Sequence, residues 1–446
     1  MKPIELSRND VLCFRFTATG VPVAREPALL NGFLDALEAH AGDWMPTHVQ
    51  KINGRERQYS RGAVFKSFEE KQPDPPLLYF YFERPPFPEL SLSLNLYERL
   101  NTTSIHGDIL PFSFFQNTAH TEARSRGLVE LIRAWACWHP PQYAFAHSSG
   151  DIALSPDPHR YGGLGFGEQM HEIYWLNVLG KDLVTRFGRE RVLSTPAHRV
   201  EELPGGSVLI QTRPTVADVT SDEARLAQAR ALSHLRPEFP FDEVLARLRA
   251  RTAALVPVAP QFHPDLAYLM EYLLDREASF GERPQRTAAF NAYRPPEVSE
   301  WLPRSSAPSS DVPDAAAQVE RYRTLHAERL VALVHTEHPE VFEGGPESLP
   351  LIDRYLWEKD YHRHRTVAEM EPLVLAVGAY LGEVMVHHLG GRWVPRKNHD
   401  ESHVLLGDRA WLPFVRARHC LPSRQMVLDY SLNHFYRTAE RAVRAV

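Results

Sequence analysis

The sequence predicts an α+β protein: an N-terminal ferredoxin-like split β-α-β-β-α-β sheet with extensions, a helical connector, and a smaller C-terminal α+β domain. Three observations carry this. Strand and helix periodicities alternate over the first 150 residues, the pattern turns purely helical from Ser221 to Asp275, and residues 294–314 are dense in Pro and Ser without periodicity. The boundaries that follow are 1–215 for the first domain, 216–293 for the connector, 294–314 for a linker and 315–446 for the last domain. A chain of 446 residues is long enough to build two or three cores of ordinary size.

The first strand is residues 11–18, followed by a helix whose Leu30, Phe33, Leu34 and Leu37 lie on one face. Leu77 to Phe82 is an unbroken apolar run, as expected of a strand covered on both faces. Leu90, Leu92, Leu94 and Leu96 alternate with polar residues, the period of a strand with one buried face, and the intervening Pro85, Pro86 and Pro88 suit the turn of an antiparallel hairpin. A second helix carries Leu128, Leu131, Ile132 and Trp135 and stops at Pro140-Pro141; residues 142–147 form the next strand. Helical stretches are expected near 173–179 and 183–187, and a strand over 208–211 extends the sheet. The helical stretch after Ser221 reads as the connector. In the C-terminal part the pattern gives helices near 315–335, around Val374 to Met385 and around Leu428 to Tyr436, with strands near 391–395 and 404–413.

Composition narrows the function classes. The chain has 43% hydrophobic and 24% charged residues, close to ordinary globular proteins. Its formal charge is -6, without the basic excess of a protein held to phosphates, so nucleic acid is not an expected partner. Residues 1–215 are near balance, 22 basic against 24 acidic. The uncharged run from Leu373 to Gly382 is shorter than the roughly 20 apolar residues that cross a bilayer, and Glu5 and Asp10 stand where a secretory signal would be apolar. Three scattered cysteines, Cys13, Cys137 and Cys420, make no disulfide framework. No membrane partner and a cytoplasmic location are the expectations.

Several residue groups carry candidate chemistry. Gly162-Gly163-Leu164-Gly165-Phe166-Gly167 lacks the Gly-Lys-Ser/Thr ending of a phosphate loop, and Glu168 would repel phosphate. Of 22 histidines, His362 with His364, His387 with His388, and His399 with His403 are close pairs. His399 and His403 could give a zinc ion two ligands only on a helix, and they lie between strands; His387 and His388 sit in a last helical turn before Gly390, where capping explains them. His147-Ser148-Ser149-Gly150-Asp151 has the residue types of a nucleophile relay but reads as a capped turn. Cys137 and the Phe112 to Phe115 run read as packing. No catalytic, cofactor or metal residue is assigned, and the protein is not expected to be an enzyme.

At Glu172 to Gly180, Leu183 to Gly188 and Val200 to Gln211 the sequence resembles the immunity protein 52 family, whose members are read as antidotes in bacterial polymorphic-toxin systems. The resemblance extends back through Trp44-Met45-Pro46, the Leu90 to Leu96 strand and Tyr143 to Asp151, and covers about residues 1–215. It implies a cytoplasmic, non-catalytic immunity protein of interbacterial competition that binds and neutralises a cognate toxin protein. The alternative expectation is a metal-assisted enzyme with a histidine-rich site in the C-terminal domain.

Overall fold

Along Leu12–Thr19, the first strand (β1), Phe14 and Phe16 turn one way and Cys13 the other, and a separate core forms on each side. The computed structural model describes residues 10–20, 30–52, 54–69, 77–97, 100–116, 119–155, 170–278, 280–361 and 366–444. Its contacts divide the chain into one unit of Met1–Val258 with Glu277–Gln285 and another of Ala259–Arg276 with Arg286–Val446.

In the first unit, among the described residues, ten strands form one antiparallel sheet. After β1 come β2 (His48–Lys51), β3 (Arg57–Gln58), β4 (Leu77–Arg84), β5 (Glu89–Tyr97), β6 (Thr102–Leu110), β7 (Tyr143–Ser148), β8 (Leu176–Leu179), β9 (Arg199–Glu202) and β10 (Val208–Gln211). Their spatial order is β3-β2-β4-β5-β6-β1-β7-β8-β10-β9. Helices α1 (Asn31–His40) and α3 (Thr121–Trp138) lie in the Phe14 core, with α2 (Arg61–Glu69) beside β2. Phe33 of α1 stacks on Trp135 of α3 at 5.0 Å, and the Trp135 Nε1 donates to the Phe33 carbonyl at 3.1 Å. Each such fully buried apolar side chain contributes about 1.5–3 kcal/mol relative to exposure.

Short helices α4 (Ser149–Ala153), α5 (Lys181–Phe187) and α6 (Arg189–Leu193) follow, then α7 (Asp222–Leu235) and α8 (Phe241–Ala254). Ala144 and Ala146 of β7 belong to the Phe14 core, whereas Tyr143 and Phe145 share the opposite core with Val208, Ile210, Leu232, Leu235, Val244 and Leu248. Residues 222–254, expected as a connector, are therefore the lid on the second face of this sheet.

The predicted β-α-β-β-α-β order is present as β1, α1, β4, β5, α3 and β7, with β6 standing between β5 and β1. Three local expectations are corrected. Leu176–Leu179, within a stretch expected to be helical, is a strand, since its four residues are buried on both faces between β7 and β10. In β4, Phe80 and Phe82 are buried but Tyr79 and Tyr81 are half-exposed, so one face is covered rather than two. In β5, Ser93 and Asn95 are buried as well as the leucines, because Asn95 Nδ2 donates to Ser104 on β6 at 3.1 Å.

The second unit contains α9 (Ala267–Glu277) except its last residue, α10 (Arg283–Ala292) from Arg286 onward, and then β11 (Trp301–Pro303). Next come α11 (Ala315–Arg321), a π-helical turn at Tyr322–Ala327 and α12 (Glu328–Val334). They are followed by α13 (Ser348–Lys359), α14 (Val367–Leu389), β12 (Arg392–Val394), β13 (His403–Leu406), β14 (Arg409–Trp411), α15 (Pro413–Cys420), α16 (Arg424–Asp429) and α17 (Leu432–Arg444). The sheet order is β11-β14-β13-β12. Residues 294–314, expected as a linker, supply β11 and are held further along: Ser310 donates to the Pro395 carbonyl at 2.7 Å, and Lys397 N–H to Asp311 at 2.9 Å. Proline and serine density there reflects loop geometry, not a solvated spacer.

The central helix α14 starts at a capping box between Thr366 and Glu369 and stops at Gly390, whose φ of 71° lies in the left-handed region. A Cβ at Gly382 would lie 2.0 Å from the Trp393 ring, so β12 approaches α14 only because glycine stands there. Within it Ala368–Leu389 is long and apolar enough to cross a membrane, but most of its apolar stretch is buried. Packing explains its apolarity: Val374, Val377, Leu381 and Val384 all lie in the second unit's core.

Candidate functional site

The strand-end sequence His147 to Asp151 folds as the exit of β7 into α4. Ser148 caps the helix by accepting from Asp151 N–H at 3.1 Å and donates its own proton to Asp10 at 2.5 Å. His147 Nδ1 accepts from Trp175 N–H at 3.2 Å, so its proton sits on Nε2, which donates to Asp151 at 2.6 Å. Burial lowers the histidine from its ordinary range. Both ring nitrogens are thus engaged, and the serine points to another partner. No nucleophile relay is assembled from these residues.

Asp151 is the hub of a buried ionic network. Arg225 of α7 reaches its oxygens at 2.8 and 2.6 Å, and Arg251 of α8 reaches them at 2.8 and 2.9 Å. Arg251 also lies 3.4 Å from Glu172, and Arg247 lies 3.2 Å from it. Burial alone would raise the Asp151 carboxyl, but Arg251, Arg225 and His147 outweigh it and hold it well below the usual carboxylate range. For Glu172 burial prevails and raises it. Asp151 and Glu172 against Arg225 and Arg251 make a balanced set that fastens α7 and α8 to the end of β7. Sequence reading singled out Asp151 but not its partners, because the arginines sit in helices whose visible signal is the apolar stripe.

The other sequence candidates separate. Gly162 to Gly167, His362 and His364 lie outside the described residues. His387 Nδ1 contacts the Glu383 carbonyl at 2.9 Å and His388 Nε2 the Gly344 carbonyl at 3.1 Å, in the last turn of α14 as expected. His399 faces the rings of His326 and Phe414, while His403 is buried in β13 with Nδ1 at 2.9 Å from the Glu401 carbonyl. Phe112, Phe114 and Phe115 are core residues, and Cys13, Cys137 and Cys420 are free thiols.

Two features had no sequence signal. One is a cleft of about 470 Å³ in the first unit, where Ala197, His198, Arg213 and Pro214 face Glu223 and Arg230 of α7. Its floor includes Leu226 and Ala227, and its rim carries both charge signs. Arg213 pairs with Asp218. The other, in the second unit, brings His263, Asp265 and His434 together, with one donor atom from each within 4.8 Å of the others. His434 Nδ1 lies 2.9 Å from Asp265, and Arg441 contacts both Asp265 oxygens at 3.0 and 2.7 Å. Burial would raise Asp265, but His434 and Arg441 hold it below the ordinary range. His263 and Asp265 are two positions apart, but His434 lies 169 positions from Asp265, beyond any local motif.

No protein-family model matches the chain, and no curated protein matches it, so the immunity-family resemblance rests on the residues that carry it. Among solved structures the chain is similar to the "Pseudomonas aeruginosa T6SS protein PA0821", at 13% identity and a TM-score of 0.36, over 64% of this chain and 90% of that one. A likeness of that size carries no argument about fold or activity.

Proposed function

We propose that this protein is a bacterial immunity protein that binds a cognate polymorphic toxin inside the producing cell and neutralises it by occlusion, without catalysis. The observation that carries the reading is the cleft beside the end of β10, six of whose ten lining residues lie within the 1–215 region that the resemblance to the immunity family spans. An inhibitor of this kind needs a standard interface of about 1,200–2,000 Å² anchored by a few side chains in pockets. A cleft of about 470 Å³ with an apolar floor and a rim of Arg213, Arg230 and Glu223 suits one such anchor from a partner. The sealed state of His147, Ser148 and Asp151 supports the same reading, because the residues most suggestive of hydrolysis are committed to the fold. The mixed rim implies modest salt dependence rather than a purely acidic plug.

Co-expression with the toxin encoded beside its gene should restore growth, and the two full-length proteins should co-purify. Arg230→Glu reverses charge at an exposed rim position and should weaken binding by about tenfold or more, the size of a modest hot spot. Failure of the full-length protein either to bind or to protect refutes the immunity reading. Binding that survives Arg230→Glu unchanged moves the interface away from the cleft.

A further inference from the structure

We propose that His263, Asp265 and His434 form a site for a divalent transition-metal ion of the zinc class. This goes beyond the toxin-binding reading, lies in the other unit, and uses none of the close histidine pairs in the sequence. The donor set is the one that zinc and its neighbours take: two imidazoles and a carboxylate, with coordination left over for water. Donor atoms within 4.8 Å of one another must close by at most about 1.4 Å to reach the roughly 3.4 Å spacing of a tetrahedral shell, a shift within the range of side-chain rotation.

Three details point to a ligand here and not merely to an ion pair. His263 Nδ1 is buried yet has no hydrogen-bond partner, an orphan lone pair or proton beside Asp265. Its ring stands edge-on to His434 at 5.2 Å, interplanar angle 88°, so the two rings converge without stacking. His434 is fixed by the start of α17, where its N–H donates to Ser431 Oγ at 3.1 Å and Ser431 in turn donates to Asp353 at 2.6 Å. Asn433 Nδ2 holds the Asp265 carbonyl at 2.7 Å. The His434 and Asp265 scaffold is thus positioned by a supporting shell, as metal ligands are.

Arg441 is the competitor. Two turns after His434 on α17, its side chain is 54% exposed while Asp265 is only 6% exposed. Without an ion it neutralises the buried carboxylate; an ion would take its place on Asp265, and the long stem lets the guanidinium move out to water. The same residue that satisfies Asp265 therefore sets the affinity of the site.

The test is zinc uptake by chelator-treated full-length protein, measured by competition with a chromophoric chelator, with cobalt(II) absorption reporting the ligand field. One equivalent should bind. His263→Ala should weaken binding by about tenfold or more, and because that ring makes no hydrogen bond in the fold, the variant should keep its thermal midpoint. Arg441→Gln should strengthen binding several-fold, which a purely structural ion pair would not do. The proposal is overturned if wild-type protein takes up no stoichiometric metal, if uptake is unchanged in His263→Ala, or if Arg441→Gln leaves affinity the same or lower.

Discussion

Replacing Asp151 by Asn keeps the shape of the side chain and removes its charge from a site that is fully buried. In the native protein two carboxylates, Asp151 and Glu172, face two buried guanidiniums, Arg225 and Arg251. After the substitution Glu172 alone opposes both buried arginines and the half-exposed Arg247, and four short guanidinium contacts at 2.6 to 2.9 Å become contacts to an amide that can accept at only one atom. Breaking a buried pair by removing one partner costs about 3–5 kcal/mol, a large share of the total stability of a domain. The cost should be partly relieved in Asp151→Asn with Arg225→Met, which leaves one buried guanidinium, Arg251, to one buried carboxylate, Glu172. Urea denaturation followed by tryptophan fluorescence measures both, with Trp175 beside the network as reporter. A single-variant loss below about 1 kcal/mol, or a double variant whose loss equals the sum of the two singles, would refute the claim that charge balance holds α7 and α8 in place.

Asp353 of α13 is fully buried against the start of α17, and burial, opposed by Ser431 and two backbone N–H groups, raises its carboxyl to about 6. A raised folded value favours the protonated fold, so its contribution is full below about pH 4 and lost as pH rises through about 6; stability against pH for wild type minus Asp353→Asn should fall across that window, and a flat difference counts against it. His106 on β6 is lowered to about 4, first by burial and then by Arg15, so an NMR titration should place its ring near pH 4 and not near the ordinary 6.5. Burial pushes the Cys13 thiol up to about 12 and raises that of Cys420, so a disulfide reagent should modify only half-buried Cys137 rapidly in the native protein; fast reaction of a second thiol contradicts the packing. A fragment of residues 1–215 should fail to fold, because it exposes Tyr143, Phe145, Val208 and Ile210 and leaves Asp151 buried without its arginines; a cooperative melt from that fragment would show the lid to be dispensable. Early proteolysis within 294–314 would likewise contradict the pairing of Trp301 with Trp411 in the second sheet.

Local periodicity determined the elements that depend on a residue's near neighbours. The alternation of β5, the helical stripe of α3 ending at Pro140, and the Gly390 stop after α14 are all set within a few positions, and the structure has them close to where the pattern puts them. The α+β class follows from their sequence order. What covers each face was decided only in three dimensions. An apolar stripe on α7 and α8 states that these helices must be buried, not that their cover is the far face of β7, β8 and β10; read alone, it suits a connector equally well. The Pro and Ser of 294–314 report an irregular backbone, and an irregular backbone can be tied down by partners a hundred residues away. The charged clusters are the extreme case. Asp151 meets Arg225 and Arg251 at separations of 74 and 100 residues, and Asp265 meets His434 at 169. Charge pairing is set by distance in space, which chain topology fixes and sequence spacing does not.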